Sequence, residues 1–375
     1  MNENIIIRMC AFVARHSHTI VKIFYVAPKY DRGDPLRGLS FEHINFYDTF
    51  CRLDKGTHNV VYFASDIAIK SLGKEKTGQQ LLAAVLEKKP DICFFSMIDD
   101  ELSPETIRSI TNTGHTTLGW FSDDPWRFDN YSKYYAPSFS WVSTTDESAL
   151  PKYKKIGVTN AVYIPCAAND AIFKLMDVLK DVDVSFIGSR TAQRYRIIKE
   201  LKRNGINIVV RGSGWTDGRI SAEEVVNIIC RSKISLNFNQ SAASFGIRPL
   251  ARLFFKRNVF TRSLREIHPD FQNFFSNLRE WRQKRKPQLK ARTFEVPACG
   301  TMLLTHNSCG VGRYYKIGRE IDVYDSITNL MEKIRHYLNH DELRERIAQA
   351  GYHRTIRDHT YAARFANLFS HILKK

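Results

Sequence analysis

Short apolar runs rich in Val, Ile, Phe and Tyr alternate with amphipathic segments of helical period from Val21 onward. In the first half, the runs that predict strands are VKIFYVA, NVVYF, DICFF, TTLGWF, SWVST and NAVYIP. Helical segments separate most of them, and a loop is predicted at SDDPWRF. Alternation of this kind predicts a parallel sheet whose strands are joined by crossover helices.

A polar stretch at residues 168–181 interrupts this pattern, and the alternation then resumes. The second half predicts strands at VSFIG, INIVVRG, ISLNF, TMLLT and EIDVY, followed by three terminal helices. Because 375 residues are long for one hydrophobic core, we expect two α/β domains, each doubly wound, at residues 1–168 and 169–375. Ligands of such folds bind at the carboxyl ends of the strands, so the site is predicted in a cleft between two facing domains.

Composition excludes several classes of protein. The 43% of hydrophobic residues argues against long disorder, and no apolar run of about 18 residues predicts a membrane span. The seven cysteines are scattered without a C-x-x-C pair, which favours a reducing, cytoplasmic compartment. We expect residues 1–18 to be an extension before the first strand and not a signal peptide.

The net charge of +17 is concentrated in one segment. Residues 248–292 contain thirteen Lys or Arg against three acidic residues, an excess of +10. This basic insertion, predicted at residues 245–292 of the second domain, also carries many aromatic residues. Such a segment fits an anionic membrane or glycolipid surface on the inner face of the membrane, a nucleic-acid backbone, or a solvated helical arm.

The string QLKARTFEVPACGTMLLT, at residues 288–305, carries the most chemistry. Glu295 lies on a predicted helix that leads into a buried strand, where its carboxylate can accept two hydrogen bonds from a ribose diol. Lys290 and Arg292 lie just upstream and can neutralise a diphosphate leaving group. The alternative is that Glu295 is an ordinary acidic residue on a helix surface.

Two turns in the second half predict contacts with a nucleotide. FIGSRTAQR places Gly188, Ser189 and Arg190 between a strand and a helix N-terminus, where the backbone can approach an anion. RGSGW places Gly214 and Trp215 after the next strand, where they can form a wall for the base. Ordinary connecting turns are the alternative for both.

In the first half, Asp123 and Asp124 follow a buried strand. Acidic residues at the carboxyl end of a strand face the predicted cleft, so both are candidates for aligning an acceptor or acting as a general base. The alternative is that they begin a turn before Pro125.

No metal site is predicted. Asp181 and Asp183 form a D-x-D sequence like that of metal-dependent transferases, but they start a strand and would point away from the ligand edge. The histidines show no metal spacing. We therefore expect no metal and no cofactor.

Several of these runs resemble the CgeB-like (spore-maturation protein CgeB related) family of GT-B glycosyltransferases. The resemblance covers residues 21–373 and rests on QLKARTFEVPACGTMLLT, the terminal GREIDVYDSITNLMEKIRHYLNHDELRERIAQAGYHRTIRDHTY, and WFSDDPWRFDNYSKYYAPSFSWVSTTD. It implies hexosyl or pentosyl transfer, with retention, from a nucleotide sugar to a glycan, glycolipid or surface polysaccharide. Related retaining enzymes carry another Glu eight residues before Glu295, whereas this chain has Pro287, so how the donor sugar's hydroxyls are held stays open.

Two other functions remain open at the level of sequence. One is a phage-type transferase acting on DNA bases, which would need the basic insertion to face the cleft. The other is a GT-B module that binds a sugar nucleotide without catalysis, as the missing carboxylate at Pro287 suggests.

Overall fold

The computed structural model describes residues 20–239, 250–251, 253–257, 267–283, 288–307 and 310–373. Within these ranges, two parallel β-sheets with helices on both faces form the framework of the protein. The predicted α/β class with two doubly wound halves is therefore confirmed. The extension expected at residues 1–18 and part of the basic insertion lie outside the described residues.

The first sheet contains every strand predicted in the first half of the chain. Its strands are β1 (Lys22–Ala27), β2 (Asn59–Ala64), β3 (Ile92–Phe95), β4 (Thr116–Phe121), β5 (Trp141–Thr144) and β6 (Ala161–Tyr163). They are parallel and follow the order β2-β1-β3-β4-β5-β6. The helices of this half are α1 (Asp48–Arg52), α2 (Ser65–Leu72), α3 (Lys74–Lys88), α4 (Pro104–Asn112), α5 (Asp124–Arg127), α6 (Lys133–Tyr135) and α7 (Leu150–Lys155).

Both faces of this sheet are buried, which is why its strands read as almost continuous apolar runs. Successive side chains of a strand point to opposite faces. Phe24 and Val26 accordingly join the core on one face, whereas Ile23 and Tyr25 join the core on the other.

The second sheet is parallel as well. Its strands are β7 (Val182–Ile187), β8 (Ile208–Arg211), β9 (Ser232–Asn237), β12 (Met302–His306) and β13 (Asp322–Tyr324). A separate antiparallel pair, β10 (Phe255–Arg257) and β11 (Ile267–Pro269), lies between β9 and β12 in the chain. The sheet order is β13-β12-β9-β7-β8. Its helices are α8 (Ala192–Arg203), α9 (Ala222–Cys230), α10 (Phe274–Gln283), α11 (Arg292–Ala298), α12 (Ile327–Leu338), α13 (Asp341–Asp358) and α14 (Tyr361–Ile372). No helix within the described ranges has both the length and the apolar character needed to cross a lipid bilayer.

The segment SDDPWRF, predicted as a loop, is instead the start of a helical stretch, and the prediction was wrong. Asp123 adopts a left-handed backbone conformation, with φ 62°, and so reverses the chain after β4. Pro125 then occupies the first turn of α5, where its fixed φ suits a helix and its missing N–H leaves no helical bond unmade. The turn brings Asp124 into the protein while Asp123 stays at the strand end.

The chain passes between the two sheets twice, and the crossing segments pair with each other. The backbone N–H of Ala168 donates to the carbonyl of His359 at 3.0 Å, and that of Tyr361 donates back to the carbonyl of Ala168 at 2.9 Å. After the second crossing, α14 packs its apolar face on the first sheet, where Phe365 contacts Phe46. All three terminal helices were expected in the second domain, whereas α14 packs on the first sheet.

Arg364, on α14, joins the crossing point to both halves. Its side chain is almost fully buried and donates hydrogen bonds to the carbonyls of Pro165 and Cys166, just after β6. The guanidinium also lies 4.7 Å from the ring centroid of Phe294 on α11, in the second half. The side chain of Arg364 therefore connects the last helix with the first crossing segment and with α11, the helix that carries Glu295.

Replacing Arg364 by Met should destabilise the protein by about 2–5 kcal/mol, because two buried carbonyls lose a charged donor and keep their desolvation cost. The measurement is the midpoint of chemical denaturation followed by circular dichroism. Arg357→Met is the matched control, since Arg357 is largely exposed and should change stability by no more than about 0.5 kcal/mol. Equal midpoints for the two variants would contradict the role given to Arg364.

Candidate functional site

The predicted cleft residues Asp123 and Lys290 come together although 167 positions separate them. Asp123 follows β4 in the first sheet, and Lys290 precedes α11 at the edge of the second. Lys290 Nζ lies 3.3 Å from Asp123 Oδ1, and both side chains keep substantial solvent exposure. Lys290 Nζ also donates to the side-chain oxygen of Gln288. An acidic and a basic group thus meet across the cleft where a charged ligand can reach both.

A buried amide network holds the segment before α11 against the second sheet. Asn237, at the end of β9, donates to Thr293 Oγ1 at 3.0 Å and to Asn239 Oδ1 at 2.9 Å. Asn239 donates to Thr305 Oγ1 at 3.1 Å, and its carbonyl accepts from the N–H of Gln288 at 3.1 Å. This network was not predicted from the sequence, although Asn237 in the strand ISLNF and Asn239 just after it are polar residues at a buried strand end. The network fixes where Lys290 and Arg292 project.

Glu295 is buried on α11, with only 6% of its surface exposed. Arg292 Nη1 lies 2.9 Å from Glu295 Oε2, as an ion pair without the alignment of a full hydrogen bond. Burial raises the pKa of Glu295 and the charge of Arg292 opposes that rise. The alternative of an acidic residue on an exposed helix surface is therefore wrong. The carboxylate is held inside the second half beside a cation.

Charged residues of the predicted site influence the pKa of the Cys166 thiol. Burial raises the pKa of Cys166, Lys290 and Arg364 lower it, and Asp123 and Glu295 raise it further. These residues come from both halves of the chain, so charges of both halves act on Cys166 in the first crossing segment. Nothing in the sequence around Cys166 pointed to this position.

Asp124 does not face the cleft, and the catalytic role predicted for it is not supported. Its carboxylate is fully buried and accepts hydrogen bonds from Ser132 Oγ at 2.5 Å, Thr144 Oγ1 at 2.5 Å and Tyr153 Oη at 2.7 Å. Burial raises the pKa of Asp124 to about 6 against the lowering effect of these three hydroxyls. Because the carboxylate is fully buried and already accepts three hydrogen bonds, it organises the first half and does not face a sugar acceptor.

The two predicted nucleotide turns form one joined surface at the carboxyl ends of β7 and β8. Trp215 Nε1 donates to the carbonyl of Gly188 at 2.9 Å, and the N–H of Arg190 donates to the carbonyl of Ser213 at 2.8 Å. Gly214 has a φ of +85°, a conformation that glycine adopts without strain.

The side chains of this surface are partly free for a ligand. Ser189 and Arg190 are exposed, and the guanidinium of Arg190 lies 4.4 Å from the ring centroid of Tyr195. Arg194 connects the surface to the rest of the site, because it donates to the carbonyl of Phe238 at 3.2 Å, one residue before Asn239. Gly188, Ser189, Arg190, Gly214 and Trp215 thus share the sheet edge from which Lys290 projects.

The D-x-D sequence lies at the opposite edge of the second sheet. Asp181 pairs with Arg231 at 2.5 Å, and Asp183 pairs with Lys233 at 2.7 Å. These ion pairs explain the two acids without a metal. Within the part of the chain that the structure describes, no group of three or more His, Cys, Asp or Glu side chains has the arrangement of a metal site.

The chain is similar to known proteins both in sequence and in fold. A family model described as glycosyl transferase-like matches residues 190–370. The spore protein CgeB of Bacillus subtilis is 21% identical over 291 residues, which cover 76% of this chain and 84% of that protein.

Solved structures share the fold at low sequence identity. The Anabaena protein HepE, in complex with UDP and glucose, is similar with a TM-score of 0.56 at 9% identity over 95% of this chain and 100% of that one. A glycosyltransferase from Rickettsia africae has a TM-score of 0.56 at 12% identity over 96% and 100% of the two chains. Sucrose-phosphate synthase from Thermosynechococcus elongatus has a TM-score of 0.54 at 10% identity over 94% and 99%. The arrangement of two facing sheets is common to all of them.

The buried carboxyl of Asp124 predicts a specific pH dependence of stability. Its pKa is 3.8 in its ordinary state and about 6 in the folded protein, so between these values the folded state alone keeps the proton. The unfolding free energy of the wild type should therefore fall relative to Asp124→Asn as the pH rises from 4 to 7, by at most about 3 kcal/mol. Denaturant titrations at several pH values measure the difference.

The exposed Asp100 supplies the control for this experiment. Asp100→Asn keeps the buried Asp124, so its unfolding free energy should change with pH in parallel with that of the wild type. If the Asp124→Asn curve also runs parallel to the wild type, the raised pKa of Asp124 is contradicted.

Proposed function

We propose that this chain, a CgeB-like glycosyl transferase of the GT-B fold, moves a hexosyl group from a uridine diphosphate sugar to a glycan or glycolipid acceptor. The observation that carries the proposal is the contact of Lys290 with Asp123 across the cleft, next to the buried pair of Glu295 and Arg292. The choice of uridine is supported by HepE, whose structures contain UDP and UDP-glucose.

Glu295 is the proposed partner of the donor ribose. A buried carboxylate is costly to desolvate, and hydroxyl groups that donate to it recover part of that cost. The ion pair with Arg292 engages Oε2 and orients the carboxylate on α11. The two ribose hydroxyls then donate to Glu295 and hold the nucleoside against the second half. The wall for the base is the joined surface of Gly188, Gly214 and Trp215.

Lys290 and Arg292 are the proposed partners of the diphosphate. Negative charge accumulates on the leaving group as the bond between sugar and phosphate breaks, and fixed cations stabilise it. Lys290 is half exposed and paired only loosely with Asp123, so a phosphate can take Asp123's place. Ser189 and Arg190, at the exposed turn before α8, add donors on the other side of the nucleotide. These side chains supply the positive field that a divalent cation supplies in other transferases.

Asp123 is the proposed contact for the acceptor. When the diphosphate binds Lys290, the carboxylate of Asp123 becomes free to accept a hydrogen bond from the acceptor hydroxyl. The left-handed backbone at Asp123 keeps this side chain at the strand end while Asp124 turns inward. Transfer with retention is part of the proposal, because the segment around Glu295 resembles that of retaining enzymes.

Turnover of the donor tests the proposed function directly. Purified protein incubated with UDP-glucose or UDP-N-acetylglucosamine should release UDP, slowly to water and faster with a suitable glycan. Lys290→Gln should lower this rate at least tenfold, whereas Lys316→Gln, at an exposed position outside the cleft, should not change it. Binding of UDP sugars without any UDP release would instead support a non-catalytic module.

Glu295→Gln should weaken UDP binding by about 1.5–3 kcal/mol, or roughly 10- to 150-fold, because a charged acceptor becomes neutral. Calorimetry with UDP and with 2′,3′-dideoxy-UDP separates this effect from general damage. The dideoxy nucleotide lacks both proposed donors, so the variant and the wild type should bind it equally. Equal weakening of both nucleotides would remove Glu295 from the ribose site.

UDP release should persist in excess EDTA, since Lys290 and Arg292 neutralise the diphosphate. The measurement is the initial rate with and without chelator, followed by addition of manganese or magnesium. A rate that vanishes in EDTA and returns with metal would contradict the proposed charge stabilisation.

A further inference from the structure

The basic insertion carries an exposed cluster of aromatic side chains, called here the aromatic patch. It consists of Phe254, Phe255, Phe271, Phe274 and Phe275. Phe275 is 79% exposed and Phe271 is 61% exposed, so large apolar surfaces face solvent. Neighbouring rings lie 5.2–6.0 Å apart between centroids. A contiguous apolar projection of this kind marks an interaction surface.

The patch is held in place by polar contacts beneath it. Asn277, which is buried, donates to Asp270 Oδ2 at 2.9 Å and to the carbonyl of Leu253 at 3.2 Å, so α10 is fastened to the β10–β11 pair. α10 also packs against α5 of the first half, and Asn130, three residues after α5, donates to Glu280 at 2.6 Å. These contacts hold α10 and the β10–β11 pair, and with them the phenylalanine side chains, in place.

Two positively charged side chains lie on the same helix as part of the patch. Arg279 and Arg282 are exposed on α10, the helix that carries Phe274 and Phe275. Residues 248–292 as a whole have thirteen Lys or Arg against three acids, an excess of +10. The surface thus combines an apolar centre with a cationic border formed, among the described residues, by Arg279 and Arg282.

We propose that the aromatic patch and its cationic border dock the protein on the surface of an anionic lipid bilayer. Phenylalanine side chains insert at the boundary between headgroups and acyl chains, and Lys or Arg at the border attract anionic headgroups. The ring arrangement favours lipid over single-stranded nucleic acid. Bases stack on separate aromatic faces, whereas these five rings form one cluster with centroids 5.2–6.0 Å apart and a continuous apolar surface.

Docking in this way has a defined relation to the cleft. The helix α10, which carries Phe274 and Phe275, contacts α5, and α5 begins one residue after Asp123. A bilayer under the patch therefore lies on the side of the cleft assigned to the acceptor, which suits a lipid-linked glycan. This last step rests on the proposed function, whereas binding to the bilayer does not.

Sedimentation with lipid vesicles tests the proposal without donor or acceptor. The full chain should sediment with vesicles of phosphatidylcholine and phosphatidylglycerol, and not with phosphatidylcholine alone. Phe271→Ser with Phe275→Ser should lower the partition coefficient at least about tenfold, because two rings no longer insert at the boundary of the acyl chains. Arg279→Gln with Arg282→Gln should also lower it at least about tenfold, since each cation near an anionic surface contributes about fivefold.

Matched controls replace equally exposed residues elsewhere. Leu36→Ser with Leu179→Ser removes side chains that are 97% and 82% exposed, and Lys199→Gln with Arg203→Gln removes charges on α8. Both controls should partition as the wild type does, and all variants should keep UDP binding. Wild-type protein that stays in solution, or phenylalanine variants that sediment unchanged, would overturn the proposal. Binding of duplex or single-stranded DNA in place of vesicles would overturn it in favour of a nucleic-acid partner.

Discussion

The placement of Arg364 is the contact on which the geometry of the cleft depends. A buried guanidinium must have its donors satisfied, and the carbonyls of Pro165 and Cys166 do so at the point where the chain leaves the first sheet. The same side chain lies over Phe294, one residue before Glu295. The position of the donor carboxylate relative to the first sheet is therefore set at the crossing, by backbone groups and not by exposed loops.

Contacts at the rim of the cleft are of a different kind. Arg219 reaches Asp31 at 2.9 Å and Arg313 reaches Glu147, with both arginine side chains more than half exposed. Exposed ion pairs contribute about 0–1 kcal/mol each and are screened by salt, whereas a broken contact at the buried crossing costs several times more. Breaking the ion pairs at the rim therefore costs little free energy, because the contacts at the crossing hold the two halves together.

The sequence predicted the strands of the two parallel sheets well because the inner strands, such as β1, β3 and β4, are buried on both faces and read as apolar runs. It also predicted that Lys290 and Glu295 lie near each other, since Lys290 comes just before the helix that carries Glu295 and this spacing is local information. Asp124 was misplaced for a non-local reason: the hydroxyls that fill its carboxylate come from Ser132, Thr144 and Tyr153, spread over three separate elements. No local pattern distinguishes a carboxylate that faces a cleft from its neighbour that faces the core.

The return of α14 to the first sheet has a consequence for how the protein forms during synthesis. The apolar face of this helix, with Phe365, Leu368 and Phe369, completes one core of a sheet whose strands lie before residue 164. Domains emerging from the ribosome generally fold as units, starting with the N-terminal one. Here the core that contains Phe46 and Phe50 stays incomplete until α14 has been translated, so the N-terminal sheet acquires its full apolar cover only when the whole second half has left the ribosome.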